Sequence, residues 1–309
     1  MTGAFRSGFV TVVGRPNTGK STLVNRLVGA KVAIVSQRPQ TTRGAIRGVR
    51  TTPESQIVFV DTPGIHRPRT PLGERTNARA SAALEDVDVV CQVVDATEAI
   101  GPGDRFVAGL ATTAGPPALL AVNKVDAASP GRVVEQLARA AELGEFAAFV
   151  PLSAATGEGT DVLLAELEAR LPDGPRYYPE GTTTDQPVVT LAAELVREKL
   201  LAVAREELPH SIAVTVEELE APDAPGADPD AGRETQAAEV LRFRAVVRVE
   251  RDSQKGIVIG KGGLVLRDAG TAARRELEAL LGRRVHLETF VTVDHEWQRR
   301  PRALDRLGF

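Results

Sequence analysis

The sequence predicts a doubly wound, mostly parallel α/β domain followed by a smaller α+β domain, and three observations carry that reading. Up to about Leu171, short apolar runs alternate with helical stretches, the pattern of a parallel sheet covered on both faces. The first apolar run enters a glycine-rich turn, Gly14-Arg15-Pro16-Asn17-Thr18-Gly19-Lys20-Ser21, that opens a helical pattern. The prolines and glycines of Pro172-Asp173-Gly174-Pro175-Arg176-Tyr177-Tyr178-Pro179-Glu180-Gly181 then break both periodicities, and the order becomes helix, strand, strand, helix, helix, strand. These shifts place a first domain over 1–172, a linker over 173–187 and a second domain over 188–309.

Strands of the first domain are expected at Phe9–Val13, Gln56–Val60, Val87–Val94, Ala118–Val122 and Ala148–Leu152, each a short run rich in apolar residues. Helices are expected between and after them at Ser21–Val28, Asp104–Thr112, Val133–Leu143 and Val162–Leu171. In such a fold the loops at the carboxyl ends of the strands build the site. In the second domain, Val188–Glu207 reads as an amphipathic helix, and Ser211–Leu219 and Val240–Val249 as strands. A helix over Leu264–Leu281, a strand over Arg284–Val293 and a terminal helix complete it. Residues 221–232, built from Ala, Pro, Asp and Gly, have nothing to bury, so a flexible acidic loop is expected at about 221–236. It either repels misplaced RNA or is an insertion tolerated between strands.

The 309 residues are 42% hydrophobic and carry a net charge of −3, enough for two cores but no global nucleic-acid signal. Cys91, the single cysteine, excludes a disulfide framework and a cysteine zinc site, and its apolar surroundings suit a small buried hydrophobe. His66, His210, His286 and His295 show no metal spacing. No apolar run approaches the roughly 18 residues of a membrane span, and the N-terminus lacks the order of a signal peptide. The expected compartment is the reducing cytoplasm.

Gly14–Ser21 fits GxxxxGKS, a phosphate-binding loop whose successive N–H groups and helix dipole converge on an anion. Lys20 adds charge for the outer phosphates, Ser21 a hydroxyl for Mg²⁺, and Thr22 continues the motif into the helix. Asp61-Thr62-Pro63-Gly64 follows a strand and supplies a carboxylate that reaches Mg²⁺ through water, with the Gly64 N–H left for a γ-phosphate. Gln40-Thr41-Thr42-Arg43 lies where a loop can close over the nucleotide; Thr42 is the expected metal ligand, with Thr41 the alternative. Asn123-Lys124-Val125-Asp126 selects the base: the Asp126 carboxylate accepts from the guanine N1–H and N2–H₂ edge, where adenine offers only a lone pair. Ser153-Ala154-Ala155 can give a backbone N–H to guanine O6. GTP is therefore the expected substrate and Mg²⁺ the expected cofactor.

Ile65 stands directly after Asp61–Gly64, where GTPases of the Ras type carry a glutamine that orients the attacking water. Isoleucine cannot do this, so intrinsic hydrolysis is expected to be slow. Asn17 has two open uses: its amide oxygen holds a K⁺ against the phosphates in place of an arginine finger, or it braces the loop. The expected catalytic set is Lys20, Thr42, Gly64 and Asn17.

Gly260-Lys261-Gly262-Gly263 is a GxxG loop between helical patterns, preceded by Arg251 and Lys255. In the helix–strand order above, this is how a KH module of type II clamps single-stranded RNA backbone. Residues 238–309 carry 15 Lys and Arg against 10 Asp and Glu, so the basic charge gathers where RNA would bind.

Taken together these motifs resemble the Era family, bacterial GTPases with a C-terminal KH domain. The resemblance extends to Tyr177-Tyr178-Pro179-Glu180, Val249-Glu250-Arg251-Asp252, Ile257–Gly263, Val285-His286-Leu287-Glu288 and the ending Arg302-Ala303-Leu304-Asp305-Arg306-Leu307-Gly308-Phe309. It implies a monomeric factor that binds the 3′ end of 16S rRNA in its GTP form and assists 16S rRNA processing and small ribosomal subunit assembly. It also implies peripheral association with the inner face of the cell membrane. Two rivals are kept: an RNA-binding scaffold with a structural nucleotide, and a membrane-associated regulatory GTPase without an RNA role. The acidic loop departs from the family's usual short connection.

Overall fold

The computed structural model describes residues 4–35, 46–65, 70–203, 211–219 and 240–307. The Gln40–Arg43 segment with Thr42, and the acidic stretch at 221–236, lie outside the described residues. The chain divides into two compact units, Met1–Gln186 with Gln298–Phe309, and Pro187–Trp297. The second unit is shorter than the 188–309 expected from the sequence, because residues 298–309 group with the first unit.

The first unit is a six-stranded sheet in the order β2-β3-β1-β4-β5-β6, built from β1 (Arg6–Val13), β2 (Ile46–Thr51), β3 (Ser55–Asp61), β4 (Val89–Asp95), β5 (Ala118–Asn123) and β6 (Ala148–Pro151). All neighbours pair in parallel except β2, which runs antiparallel to β3 at the edge. Alternate residues of the central strands feed opposite cores, as the two-residue strand period requires. Val10, Val12, Cys91, Val93, Leu119 and Ala121 join one core with Leu23 and Leu27 of α1 (Lys20–Val28) and Leu163 and Leu167 of α5 (Thr160–Glu168). The interleaved Val13 and Val90 face α2 (Pro71–Ala82) and α3 (Pro102–Thr113), while Val94, Leu120 and Val122 face α4 (Pro130–Ala141). Helices on both faces leave the carboxyl ends of the strands open for a site.

Two elements of this unit were not expected. The strand β2 reads Ile-Arg-Gly-Val-Arg-Thr, an edge sequence with neither a clean alternation nor an apolar run. The helix α2 buries Leu72, Gly73, Thr76 and Ala80, so small residues replace the apolar stripe that would have marked it. Its start was legible: Thr70 caps it by accepting from the Gly73 N–H, with Pro71 in the first turn.

The second unit begins with α6 (Val188–Val203), then a three-stranded sheet of β7 (Ala213–Glu218), β8 (Leu241–Val249) and β9 (Val285–Val293) in that order. β7 is antiparallel and β9 parallel to β8. The parallel pair needs a crossover, and α7 (Asp252–Ile259) with α8 (Leu264–Leu281) provides it. Phe243, Ala245, Val247 and Val249 form the inner face of β8 and pack with Leu195 and Leu200 of α6 and Ala273 and Leu277 of α8. This is the α+β KH arrangement expected from the element order. The last helix, α9 (Pro301–Arg306), groups with the first unit.

Candidate functional site

β1 delivers its chain into the phosphate loop, and the loop is held from several sides. The Thr18 hydroxyl and the Lys20 ammonium both donate to the Arg15 carbonyl, at 3.1 and 2.7 Å. The Arg15 side chain points away from the loop and pairs with the buried Asp104 of α3 and with Glu98, both at 2.9 Å. Burial lowers the Arg15 pKa, but the charges and hydrogen bonds of Asp104 and Glu98 outweigh it and raise the value. Asn17 is exposed and stands at φ 66°, the left-handed region in which asparagine is favoured among non-glycine residues. The backbone of the loop is thus itself a reason for asparagine at position 17.

Asp61 ends β3 beside the loop, where the Ser21 hydroxyl donates to its carboxylate at 2.8 Å. Burial pushes the Lys20 ammonium down to about 8, against the opposing charge of Asp61. A hydroxyl and a buried carboxylate side by side are hard oxygen donors, the set that suits Mg²⁺. Thr62 is turned inward, donating its hydroxyl to the Val12 carbonyl at 2.8 Å. Pro63 and Gly64 are buried, and Gly64 lies so close to the loop that a Cβ would stand 2.8 Å from the Pro16 nitrogen. The Ile65 N–H donates to the Gly14 carbonyl at 3.1 Å, while its side chain enters the core with Val13, Ala80, Leu84 and Val90.

The Asn123-Lys124-Val125-Asp126 motif has a division of labour that its residue types alone do not disclose. Asn123 is buried and its amide is engaged at both ends: it donates to the Thr18 carbonyl at 2.8 Å and accepts from the Ala154 N–H at 2.9 Å. It therefore ties the phosphate loop to the Ser153–Ala155 segment. Lys124, at φ 68°, pairs at 2.5 Å with Asp95 of β4, which also accepts from the Thr97 N–H and hydroxyl. Burial raises the Asp95 pKa, but these donors outweigh it and hold the carboxyl below the usual range. Asp126 is exposed. Ser153 accepts from the Thr156 N–H, and Arg26 of α1 donates to the carbonyls of Ala154 and Ala155. Asp95, Asp104 and Arg26 are supporting residues that no motif pointed to.

In the second unit, Gly260, Lys261, Gly262 and Gly263 form the turn between α7 and α8. The three glycines have φ of 73°, 61° and 76°, values that L residues rarely adopt. Gly260 is also crowded, since a Cβ there would stand 2.4 Å from Val265, whereas Gly262 and Gly263 face open space. Lys261 and Arg251 are exposed, and Lys255 lies one helical turn beyond Arg251 on α7. Gln254 secures the entry to α7 by accepting from the Glu250 and Arg251 N–H groups at 2.8 and 3.1 Å.

Among the described residues no cluster of His, Cys, Asp and Glu forms a separate metal centre, and no helix is long and apolar enough to cross a membrane. Cys91 is buried in β4, and burial pushes its thiol up to about 12.

Comparison with known proteins agrees with this geometry unit by unit. A family model described as a 50S ribosome-binding GTPase matches residues 9–124, and one described as a KH domain matches residues 207–298. The chain is 51% identical over 308 residues to the GTPase Era of Mycobacterium sp. (strain JLS), covering 99% of each. Its identity to the GTPase Era of Mycobacterium tuberculosis is likewise 51%, over 309 residues and 99% of each. Among solved structures, an Aquifex aeolicus Era variant bound to GDP and aluminium fluoride matches with a TM-score of 0.89 at 37% identity, over 98% of this chain and 99% of that one. Era in complex with MgGDPNP and nucleotides 1506–1542 of 16S ribosomal RNA matches with a TM-score of 0.88, at the same identity and coverage. With a GxxxxGKS loop, an NKxD motif and a GxxG-bearing KH unit in one chain, and relatives matching from end to end, this protein belongs to the Era family of GTPases.

Proposed function

We propose that this GTPase uses its nucleotide to time the binding of the 3′ end of 16S rRNA during processing and assembly of the small ribosomal subunit in the cytoplasm. The observation that carries the proposal is Lys261 exposed on a three-glycine turn, in a chain that also holds a complete phosphate loop and guanine-selecting motif. Backbone phosphates can approach such a turn closely because Gly262 and Gly263 present no side chain. The solved relative that holds MgGDPNP and a 16S segment at once supports the same pairing.

For hydrolysis, Lys20 and the N–H groups of the loop stabilise the charge that develops on the outer phosphate oxygens, where a positioned donor acts more strongly than in water. Ser21 and Thr42, with Asp61 through a water, would hold Mg²⁺, whose charge would neutralise that of the phosphates. Gly64, pressed against Pro16, senses whether a γ-phosphate is present through its N–H, and Thr42, outside the described residues, is the second sensor. Ile65 is committed to the core and takes no part in orienting water. Asn17 would supply an amide oxygen for K⁺, whose charge would do the work of an arginine finger. Intrinsic turnover is slow on this account, faster in K⁺ than in Na⁺, and equal in both salts for Asn17→Ala.

Sequencing of RNA cross-linked to the GTP-loaded protein tests the partner: reads should cluster at the 16S 3′ end, and scattered reads would reduce the activity to general RNA affinity. Phosphate release with and without small subunits tests the timing. Subunits should raise turnover, and an unchanged rate would leave the nucleotide a structural role.

A further inference from the structure

Beyond Trp297 the chain leaves the unit that carries the GxxG loop. Trp297 closes that unit, fully buried, with its indole N–H donating to the Ser211 carbonyl at 3.1 Å. From Gln298 onward the residues group with the first unit, and only the 3₁₀ turn Trp297–Arg299 and Arg300 separate the indole from α9. Within the first unit, Ala303 and Leu304 of α9 are buried, at 2% and 0% exposure, and Asp305 pairs with Arg75 of α2 at 2.6 Å.

Among the described residues, α2 is the first helix after Asp61–Gly64, the segment whose last glycine touches Pro16 of the phosphate loop. Its buried face consists of Leu72, Gly73, Thr76 and Ala80, so few apolar contacts hold it in place. A lightly packed helix that follows the γ-phosphate-sensing segment can shift when that phosphate leaves. We propose that α9 is a strap that passes such a shift to the RNA-binding unit, with the Arg75–Asp305 pair as its buckle. A shift of α2 either breaks the pair or draws α9 with it, and only residues 298–300 join α9 to Trp297. This rests on the reading above, that the GTP form is the one that binds 16S RNA.

Both partners are partly exposed, so the pair alone is expected to contribute a two- to fivefold coupling, about what exposed ion pairs supply. By linkage the effect must be reciprocal, RNA favouring the GTP analogue by the factor by which the analogue favours RNA. The test uses the full chain, fluorescence anisotropy with an RNA copying the 16S 3′ end, and the GDP- and GDPNP-loaded forms. In Arg75→Glu and in Asp305→Arg the ratio of the two RNA affinities should fall two- to fivefold, with basal GTP hydrolysis unchanged. The double variant R75E/D305R should restore it. A ratio that both single variants keep overturns the strap, as does a loss that the double variant fails to restore. Equal RNA affinity of the two forms in the unaltered protein would instead remove the timing reading and the strap with it.

Discussion

Gly14–Ser21 and Gly260–Gly263 are both glycine-rich turns for which a phosphate ligand is proposed, yet the first is enclosed by its own fold and the second stands clear of it. In the first, Thr18 and Lys20 are buried, Asn123 reaches across from β5 to hold the loop, and Asp61 and Gly64 press against it. In the second, Lys261 is exposed, and at two of the three glycines an added Cβ would meet nothing within 4 Å. The difference follows from the ligands. One defined triphosphate rewards donors fixed in advance in a dry setting, whereas an RNA strand is long, variable and met from one side, so binding rests on charge and counterion release.

The largest test of this contrast is to reverse the charge of the open turn. Lys261→Asp with Gly262→Asp puts two carboxylates where backbone phosphates must come closest, and RNA affinity should fall more than about 100-fold, beyond the loss of one charged contact. GTP affinity should not change, and RNA binding by the unaltered protein should weaken steeply with salt. Anisotropy titrations decide this, and undiminished RNA affinity would make the turn a mere helix connection.

A matched pair of substitutions sharpens the comparison. Gly19→Ala forces φ 93° on an L residue and drives its Cβ to 2.3 Å from the buried Asn123 amide, so it should cost about 3 kcal/mol of stability and abolish tight GTP binding. Gly262→Ala meets the backbone penalty alone, about 1 kcal/mol. Chemical denaturation of the two variants should show that gap; equal losses would mean that the loop around Gly19 yields.

Asp126→Asn should weaken GTP by about 1.5–3 kcal/mol, the range for a hydrogen bond to a charged group, because the amide cannot accept from both guanine donors. Xanthine nucleotides should gain relative affinity, since their C2 oxygen needs a donor. Competition binding with GTP, ATP and XTP checks both, and an unaltered GTP:XTP ratio would reject the assignment.

The smallest effect concerns Cys91, within the sheet that bears the enclosed loop. Its thiol, held at about 12 against an ordinary value of 9.0, should resist Ellman's reagent at pH 8 until the first unit unfolds. The folded value is the higher one, so this group's contribution is intact below about 9 and fades as pH rises towards 12. Rapid labelling of the native protein would show that the β4 core opens.

Most of the fold could be read because its elements announce themselves: β-branched runs for β1 and β4, glycine turns at both phosphate sites, a proline-rich break before α6. What escaped was made of residues with other duties. Arg47 and Arg50 disguise β2, which sits at an edge and need bury only part of itself. Gly73, Thr76 and Ala80 hide α2, because small residues can be core as well as surface. The motifs named the groups proposed for guanine and phosphate, but not the bracing, since Asp95, Asp104 and Arg26 acquire their roles only when distant segments come together.

Ile65 shows how packing limits what evolution or an engineer can do at this site. Its side chain belongs to the hydrophobic layer under α2 and α3, so installing glutamine there would not create a Ras-like water-orienting residue. It would bury an amide among Val13, Ala80, Leu84 and Val90, at a cost of about 1–3 kcal/mol if no partner forms. A water-orienting glutamine cannot be reached from this protein through that position alone, because the helix after Gly64 would have to be re-laid first.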